Sequence, residues 1–138
     1  MQELGQLDAY PDASRALDLL EKAGVPAVTL TNGGREHTEK LLDSAGLGSC
    51  IQQVMTVDAV SVYKPHPAPY RYVAETLGLP IESLALIAAH GWDVLGARAA
   101  GMSAIWVDRL ERRWPFPTDA PPTASGLVEA VELVLAGS

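Results

Sequence analysis

Apolar residues follow two rhythms along this chain, and the alternation between them predicts strands and helices in turn. Val25 to Thr31 and Leu84 to Ala88 are short apolar runs with glycine, proline or asparagine near their ends, the mark of strands buried on both faces. Ser103 to Val107 has the same character, and Gln53 to Val57 is a weaker example. Between these runs, apolar positions recur at helical spacing. Ala16, Leu17 and Leu20 follow Asp12 and Ser14, either of which suits a helix N-cap, and Gly24 suits the stop. Leu41, Leu42 and Ala45 mark a helix from Glu36 to Ala45, before Gly46. Pro67 opens a third helix through Tyr70, Val73, Ala74 and Leu77, closed by Gly78. Asp93 to Ala100 gives a fourth, ended by Gly101. Pro115, Pro117, Pro121 and Pro122 then mark a long loop, and Leu127, Val128, Val131, Leu133 and Leu135 a closing amphipathic helix.

Strands alternating with helices of this length predict an α/β fold, with a parallel sheet of about four strands flanked by helices on both faces. Residues 1–138 read as a single domain, without repeats or a domain-sized linker, and 48% apolar residues suffice for one core. A net charge of −7 without any basic stripe argues against nucleic acid as a partner. The local basic cluster Arg109, Arg112 and Arg113 reads as a solvated loop. No apolar run is long enough to span a bilayer, and the first residues carry neither the basic nor the apolar region of a signal peptide. A lone Cys50 allows no internal disulfide and no thiolate cluster. A cytoplasmic protein without membrane contact is the expectation.

Ligands of parallel sheets bind at the carboxyl ends of the strands, and three polar signals fall there. Thr31-Asn32-Gly33-Gly34 directly follows the first apolar run; hydroxyl, amide and glycine-freed backbone can hold an anionic oxygen, though taken alone the stretch is an ordinary turn. Lys64, before Pro65, could stabilise an ionised carboxylate or offset developing negative charge, or be a solvated surface charge. Ala88-Ala89-His90-Gly91-Trp92-Asp93 follows the third run; there Asp93 could cap the next helix and Trp92 fill the core. His37 and His66 lack metal-ligand spacing and read as surface residues.

In this order and spacing, Leu30-Thr31-Asn32-Gly33-Gly34, Tyr63-Lys64-Pro65 and Ala89-His90-Gly91-Trp92-Asp93-Val94-Leu95-Gly96-Ala97 resemble three of the four motifs of the haloacid dehalogenase superfamily. The wording is nearest to the L-2-haloacid dehalogenase (type II) branch. The resemblance runs from about Tyr10-Pro11-Asp12 to the last helix and implies the carboxyl-terminal portion of a Rossmann-like core, without the helical cap. It implies catalytic roles for Thr31, Lys64 and Asp93, with Asp93 orienting Lys64 or the hydrolytic water. Asn32 and Tyr70 then face substrate, Trp92 gives an apolar wall for a carbon–halogen group, and His90 stands where the type II pattern has an asparagine. The substrate implied is a small halogenated carboxylate, or another small anion. No cofactor and no metal are expected: the superfamily's magnesium-dependent phosphatases carry an acidic residue four positions before the aspartate, where this chain has Ala89.

The fourth motif, a nucleophilic aspartate at the end of an apolar strand followed by a Gly-Thr turn, is missing. Asp8 has no apolar strand before it, and Asp58 lacks the glycine turn. The family's halide-holding arginine also has no counterpart. Two functions compete: a hydrolytic dehalogenase core that is inactive alone and needs nucleophile and cap from another chain, and a non-catalytic interaction module or truncated domain. A phosphatase-type hydrolase is a weaker third reading. In the superfamily the missing strand is central, between the strands ending at Thr31 and near Ala88. Residues 1–7 are too polar for that place, so the expectation is direct pairing of those two strands, or a homodimer or complementing chain at the open edge.

Overall fold

The computed structural model describes residues 12–137. Asp8 and the other residues before Asp12, on which part of the sequence reading falls, lie outside the described residues. Those described form five helices, α1 (Ala13–Lys22), α2 (Arg35–Ser44), α3 (Pro67–Leu77), α4 (Gly91–Ala99) and α5 (Leu127–Ala136). Five strands accompany them: β1 (Val28–Thr31), β2 (Gln53–Thr56), β3 (Ala85–Ala88), β4 (Ser103–Val107) and β5 (Thr123–Ala124). The α/β class and its parallel strands are those the sequence predicts.

The boundaries shift for local reasons. Val25 does not join β1, because its N–H donates 2.9 Å to the Leu20 carbonyl and closes the end of α1. Leu84 is likewise held out of β3 by a 3.1 Å bond to the Ile81 carbonyl. Helix α4 starts two residues early, since the His90 carbonyl already accepts from the Val94 N–H at 3.2 Å.

β1 and β2 pair in parallel, with Leu30 opposite Met55 and Thr31 opposite Thr56. β3, β4 and β5 form a second parallel sheet, with Ala88 opposite Trp106 and Trp106 opposite Thr123. Helices cover both faces. On one side Leu17 of α1, Leu42 of α2 and Ala130 and Val131 of α5 pack with Val54, Ile87, Ile105 and Val107. On the other, Tyr70 and Val73 of α3 and Val94 and Ala97 of α4 pack with Leu30, Met55, Leu86, Ala104 and Trp106.

Direct pairing of β1 with β3 is not found: among the described residues the two belong to separate sheets. A cavity of about 320 Å³ lies between them, lined by Val28 and Leu30, by Leu86 and Ile87, and by side chains of both helical layers (Leu20 and Val134 on one side, Val73 and Leu77 on the other). On one face the helices reach across both sheets. α3 packs on β1 and on α4, while α4 packs on β3 and β4.

Two further expectations are corrected. Asp12 precedes α1 but makes no side-chain cap there. Its carboxylate instead accepts the Leu127 N–H at 2.8 Å, at the start of α5, and two hydrogen bonds from Arg109 at 3.0 and 3.3 Å. Arg109 is therefore part of a clasp between the chain's two ends rather than a solvated loop residue. No helix among the described residues is long and apolar enough to cross a membrane.

Candidate functional site

The carboxyl ends of β1 and β3 bring the sequence-selected residues toward one another. Lys64 is buried, with Nζ donating 2.7 Å to Asp93 Oδ2 and 3.1 Å to the Leu30 carbonyl at the end of β1. The Tyr70 hydroxyl donates 2.7 Å to the other oxygen, Asp93 Oδ1. Both side chains of the Lys64–Asp93 pair are fully buried. A buried charge without hydrogen-bonded partners is costly, so each of these contacts fixes the next. Asp93 sits in the first turn of α4, yet its carboxylate serves Lys64 and Tyr70 rather than the helix end.

The Lys64 loop is seated from two directions. Asn32 Oδ1, just past β1, accepts the Lys64 backbone N–H at 2.9 Å. From the other side Gly96 of α4 lets the loop close in, since a Cβ there would stand 2.6 Å from Pro65 Cβ and 2.8 Å from the Tyr70 hydroxyl. Thr31 Oγ1 accepts the Gly33 N–H at 2.9 Å, shaping the turn and leaving its own hydroxyl proton able to donate.

Trp92 and His90 form the other side. Their rings stack at 5.7 Å with 15° between planes, and Lys64 Nζ lies 5.9 Å from the Trp92 ring centre. Such a spacing is within cation–π reach. Trp92 is half-buried rather than a core residue, and His90 precedes α4 without capping it through its side chain. Ala89 is buried, and its carbonyl accepts from Trp106 Nε1 at 3.1 Å. Among the described residues no three acidic, histidine or cysteine side chains gather as a metal site. His37 and His66 are both exposed, and His66 Nδ1 accepts the Ala68 N–H at 3.0 Å as the N-cap of α3.

Glu111 is the neighbour that sequence reading misses. One of its oxygens accepts the Gly91 N–H at 2.8 Å, and the other lies 3.7 Å from His90 Nδ1. It hides in a charged stretch that looks like solvated surface. The available signal is the Trp114-Pro115-Phe116 cluster just after it, too apolar for a free loop.

Tyr70, Lys64 and Asp93 thus form one buried cluster; Thr31 and Asn32 border it at the end of β1, and Trp92 and His90 continue the row outward. The arrangement holds a permanently placed ammonium beside strand ends, the setting in which an enzyme stabilises a carboxylate or developing anion.

Known proteins resemble this chain in sequence and in fold. A family model described as haloacid dehalogenase-like hydrolase matches residues 2–101. The (S)-2-haloacid dehalogenase of Xanthobacter autotrophicus is 36% identical over 111 residues, covering 80% of this chain and 43% of that protein. Haloacetate dehalogenase H-2 of Moraxella sp. (strain B) is 31% identical over 108 residues, covering 78% and 48%. The chain therefore spans about half the length of the curated relatives it matches. Among solved structures, the Xanthobacter autotrophicus L-2-haloacid dehalogenase with chloropropionic acid covalently bound superposes with a TM-score of 0.84 at 29% identity, over 94% of this chain and 62% of that one. L-2-haloacid dehalogenase RSc1362 gives the same TM-score of 0.84 at 29% identity, over 91% and 56%. On a match spanning most of its length, this chain belongs to the haloacid dehalogenase-like hydrolase family.

Proposed function

We propose that the chain is the carboxyl-terminal part of the core of a hydrolytic dehalogenase acting on short 2-haloacids, competent only when a strand bearing a nucleophilic carboxylate stands between β1 and β3. The observation that carries this reading is the buried ammonium of Lys64, held by Asp93 and the Leu30 carbonyl beside that slot. In the reaction, a carboxylate oxygen displaces halide from C2 of the substrate: the C–O bond forms as the carbon–halogen bond breaks, and halide leaves with the bonding pair. Water then adds to the ester carbonyl, and cleavage of its acyl–oxygen bond releases the 2-hydroxy acid and a proton and restores the carboxylate.

Lys64 would keep the nucleophile ionised, with Asp93 and Tyr70 holding the ammonium in place. Thr31 and Asn32 would border the carboxylate and the leaving halide, and Trp92 and His90 would wall the carbon–halogen group. This chemistry requires no metal or cofactor, and the implied partners are a small halogenated carboxylate and a complementing segment or second copy. The cytoplasm suits a chain whose lone Cys50 is a free thiol.

The test is chloride release from 2-chloropropionate. The purified chain alone should release none; co-expressed with the amino-terminal half of the Xanthobacter enzyme it should gain activity, lost again in Lys64→Ala. Turnover by the chain alone would remove the need for a second segment, and silence in every combination would overturn the dehalogenase reading. A second reading, a non-catalytic interaction module, is favoured by β1 and β3 not pairing with each other. Tight, stoichiometric self-association without any turnover would support it. Magnesium-dependent cleavage of p-nitrophenyl phosphate would point instead to the phosphatase branch, which Ala89 opposes.

A further inference from the structure

We propose that Glu111 is a positioning residue: by accepting the first N–H of α4 it fixes where that helix begins, and with it the Asp93 carboxylate that holds Lys64. The inference rests on the roles given above to Lys64 and Asp93, and it adds a residue from another part of the chain. Glu111 Oε1 accepts the Gly91 N–H at 2.8 Å. The first N–H groups of a helix have no partner within it, and the residue before the helix commonly serves one of them through its side chain. His90, in that place, makes no such cap. The acceptor comes instead from twenty residues further along, beyond β4, and a carboxylate there also suits the positive end of the helix dipole. Asp93 stands in the same turn, its N–H bonded to the His90 carbonyl at 3.1 Å. Any tilt or fraying of that turn moves the carboxylate on which Lys64 Nζ and the Tyr70 hydroxyl converge, each at 2.7 Å.

Close contacts grip α4 at two points. Toward the Lys64 loop, a Cβ at Gly96 would stand 2.6 Å from Pro65 Cβ; at the other end, a Cβ at Gly91 would meet Phe116 at 2.9 Å and Pro115 at 3.0 Å. Phe116 and Pro115 belong to the same segment as Glu111. Trp114 anchors that segment, packing edge-on against Trp106 of β4 at 5.2 Å and against Phe116 at 5.4 Å. Next to Glu111, Arg112 adopts a left-handed backbone (φ 64°), uncommon for a residue with a side chain. The helix is thus wedged between the Lys64 loop and residues 111–116, and the Glu111–Gly91 bond ties the wedge at the end where Asp93 lies. A local cap would stabilise α4 without saying where it lies; an acceptor delivered by a turn anchored on β4 also fixes the helix against the sheet.

The test reads the Lys64 ammonium in the full chain by nitrogen-15 NMR, in cold, mildly acidic buffer, where a buried and hydrogen-bonded ammonium exchanges slowly enough to be seen. Glu111→Gln keeps an acceptor for the Gly91 N–H and should leave the Lys64 signal as in the wild type. Glu111→Ala removes the acceptor and should lose that signal. Val131→Ala is the control: it opens the opposite helical layer and lowers stability, yet should leave Lys64 in place. The proposal is overturned by a wild type without a Lys64 signal, by a signal that persists in Glu111→Ala, or by its loss in Glu111→Gln or Val131→Ala. Where Glu111→Ala fails to fold, Glu111→Asp, one methylene too short to reach Gly91, replaces it: a weakened Lys64 signal supports the proposal and an unchanged one refutes it. Chloride release by the co-expressed pair separates the two readings. There Glu111→Ala should lower kcat several-fold while Glu111→Gln stays near wild type. If no combination turns over, the dehalogenase reading fails while the Lys64 signal still judges Glu111.

Discussion

Two ion pairs tie distant parts of this molecule together, and they differ in almost everything except their chemistry. Lys64 and Asp93 meet at 2.7 Å with both side chains fully buried. Arg109 and Asp12 meet at 3.0 Å with about a quarter of each side chain exposed. The first pair sits where three loops converge at the strand ends; the second clasps the starts of α1 and α5. In the first, both side chains are shut away from water, so solvent cannot stand in for a lost partner. In the second, solvent can replace what is lost. The same pairing is therefore a site in one place and a fastener in the other.

The strongest way to break the contrast is Asp93→Ala. It removes the carboxylate on which the buried Lys64 ammonium and the Tyr70 hydroxyl converge, and should cost about 3–5 kcal/mol in urea unfolding. A loss below about 1 kcal/mol would mean that the pair is hydrated in solution, and the contrast would collapse.

Asp12→Ala comes next. It removes the acceptor for the Leu127 N–H and for Arg109, and should cost about 1–2 kcal/mol. Its pH dependence sharpens the comparison. Burial alone would raise the Asp12 carboxyl, but hydrogen bonds from Arg109 and Leu127, with the Arg109 charge, outweigh it and hold the group below its ordinary 3.8. A carboxyl depressed on folding stabilises fully above its unfolded value and loses that contribution as the pH falls through the folded one. The stability gap between wild type and Asp12→Asn should hence be constant above about pH 5 and shrink below about pH 4. A gap that persists to pH 2 would contradict the clasp.

The smallest effect reverses the sign. Thr29 in β1 is fully buried, and among the described residues its hydroxyl has no hydrogen-bond partner. Thr29→Val keeps the shape and removes an unsatisfied group, so it should stabilise by up to about 1 kcal/mol in the same assay. Destabilisation would reveal a partner for that hydroxyl.

The sequence made the strands legible because buried parallel strands are short apolar runs and the turns between them carry glycine. It also placed Thr31, Lys64 and Asp93 at strand ends, since that depends only on element order. It could not show that Asp12 serves α5, because a capping residue looks the same whether its donor is two or 115 residues away. Arg109 and Glu111 were lost for a related reason: a charged loop reads as solvated until something apolar is seen to pin it down. β5, two residues long directly after Pro121-Pro122, has no periodicity to detect. That β1 and β3 belong to separate sheets is a matter of tertiary packing, and no local pattern encodes it.

The close approach at Gly96 has an evolutionary consequence. Pro65, Tyr70 and Gly96 share one space, so they cannot vary independently: a lineage that acquires a side chain at position 96 must shed volume at 65 or 70, or let Lys64 drift from Asp93. The three positions behave as a single inherited unit, and correlated change among them in relatives is the record that such a contact leaves.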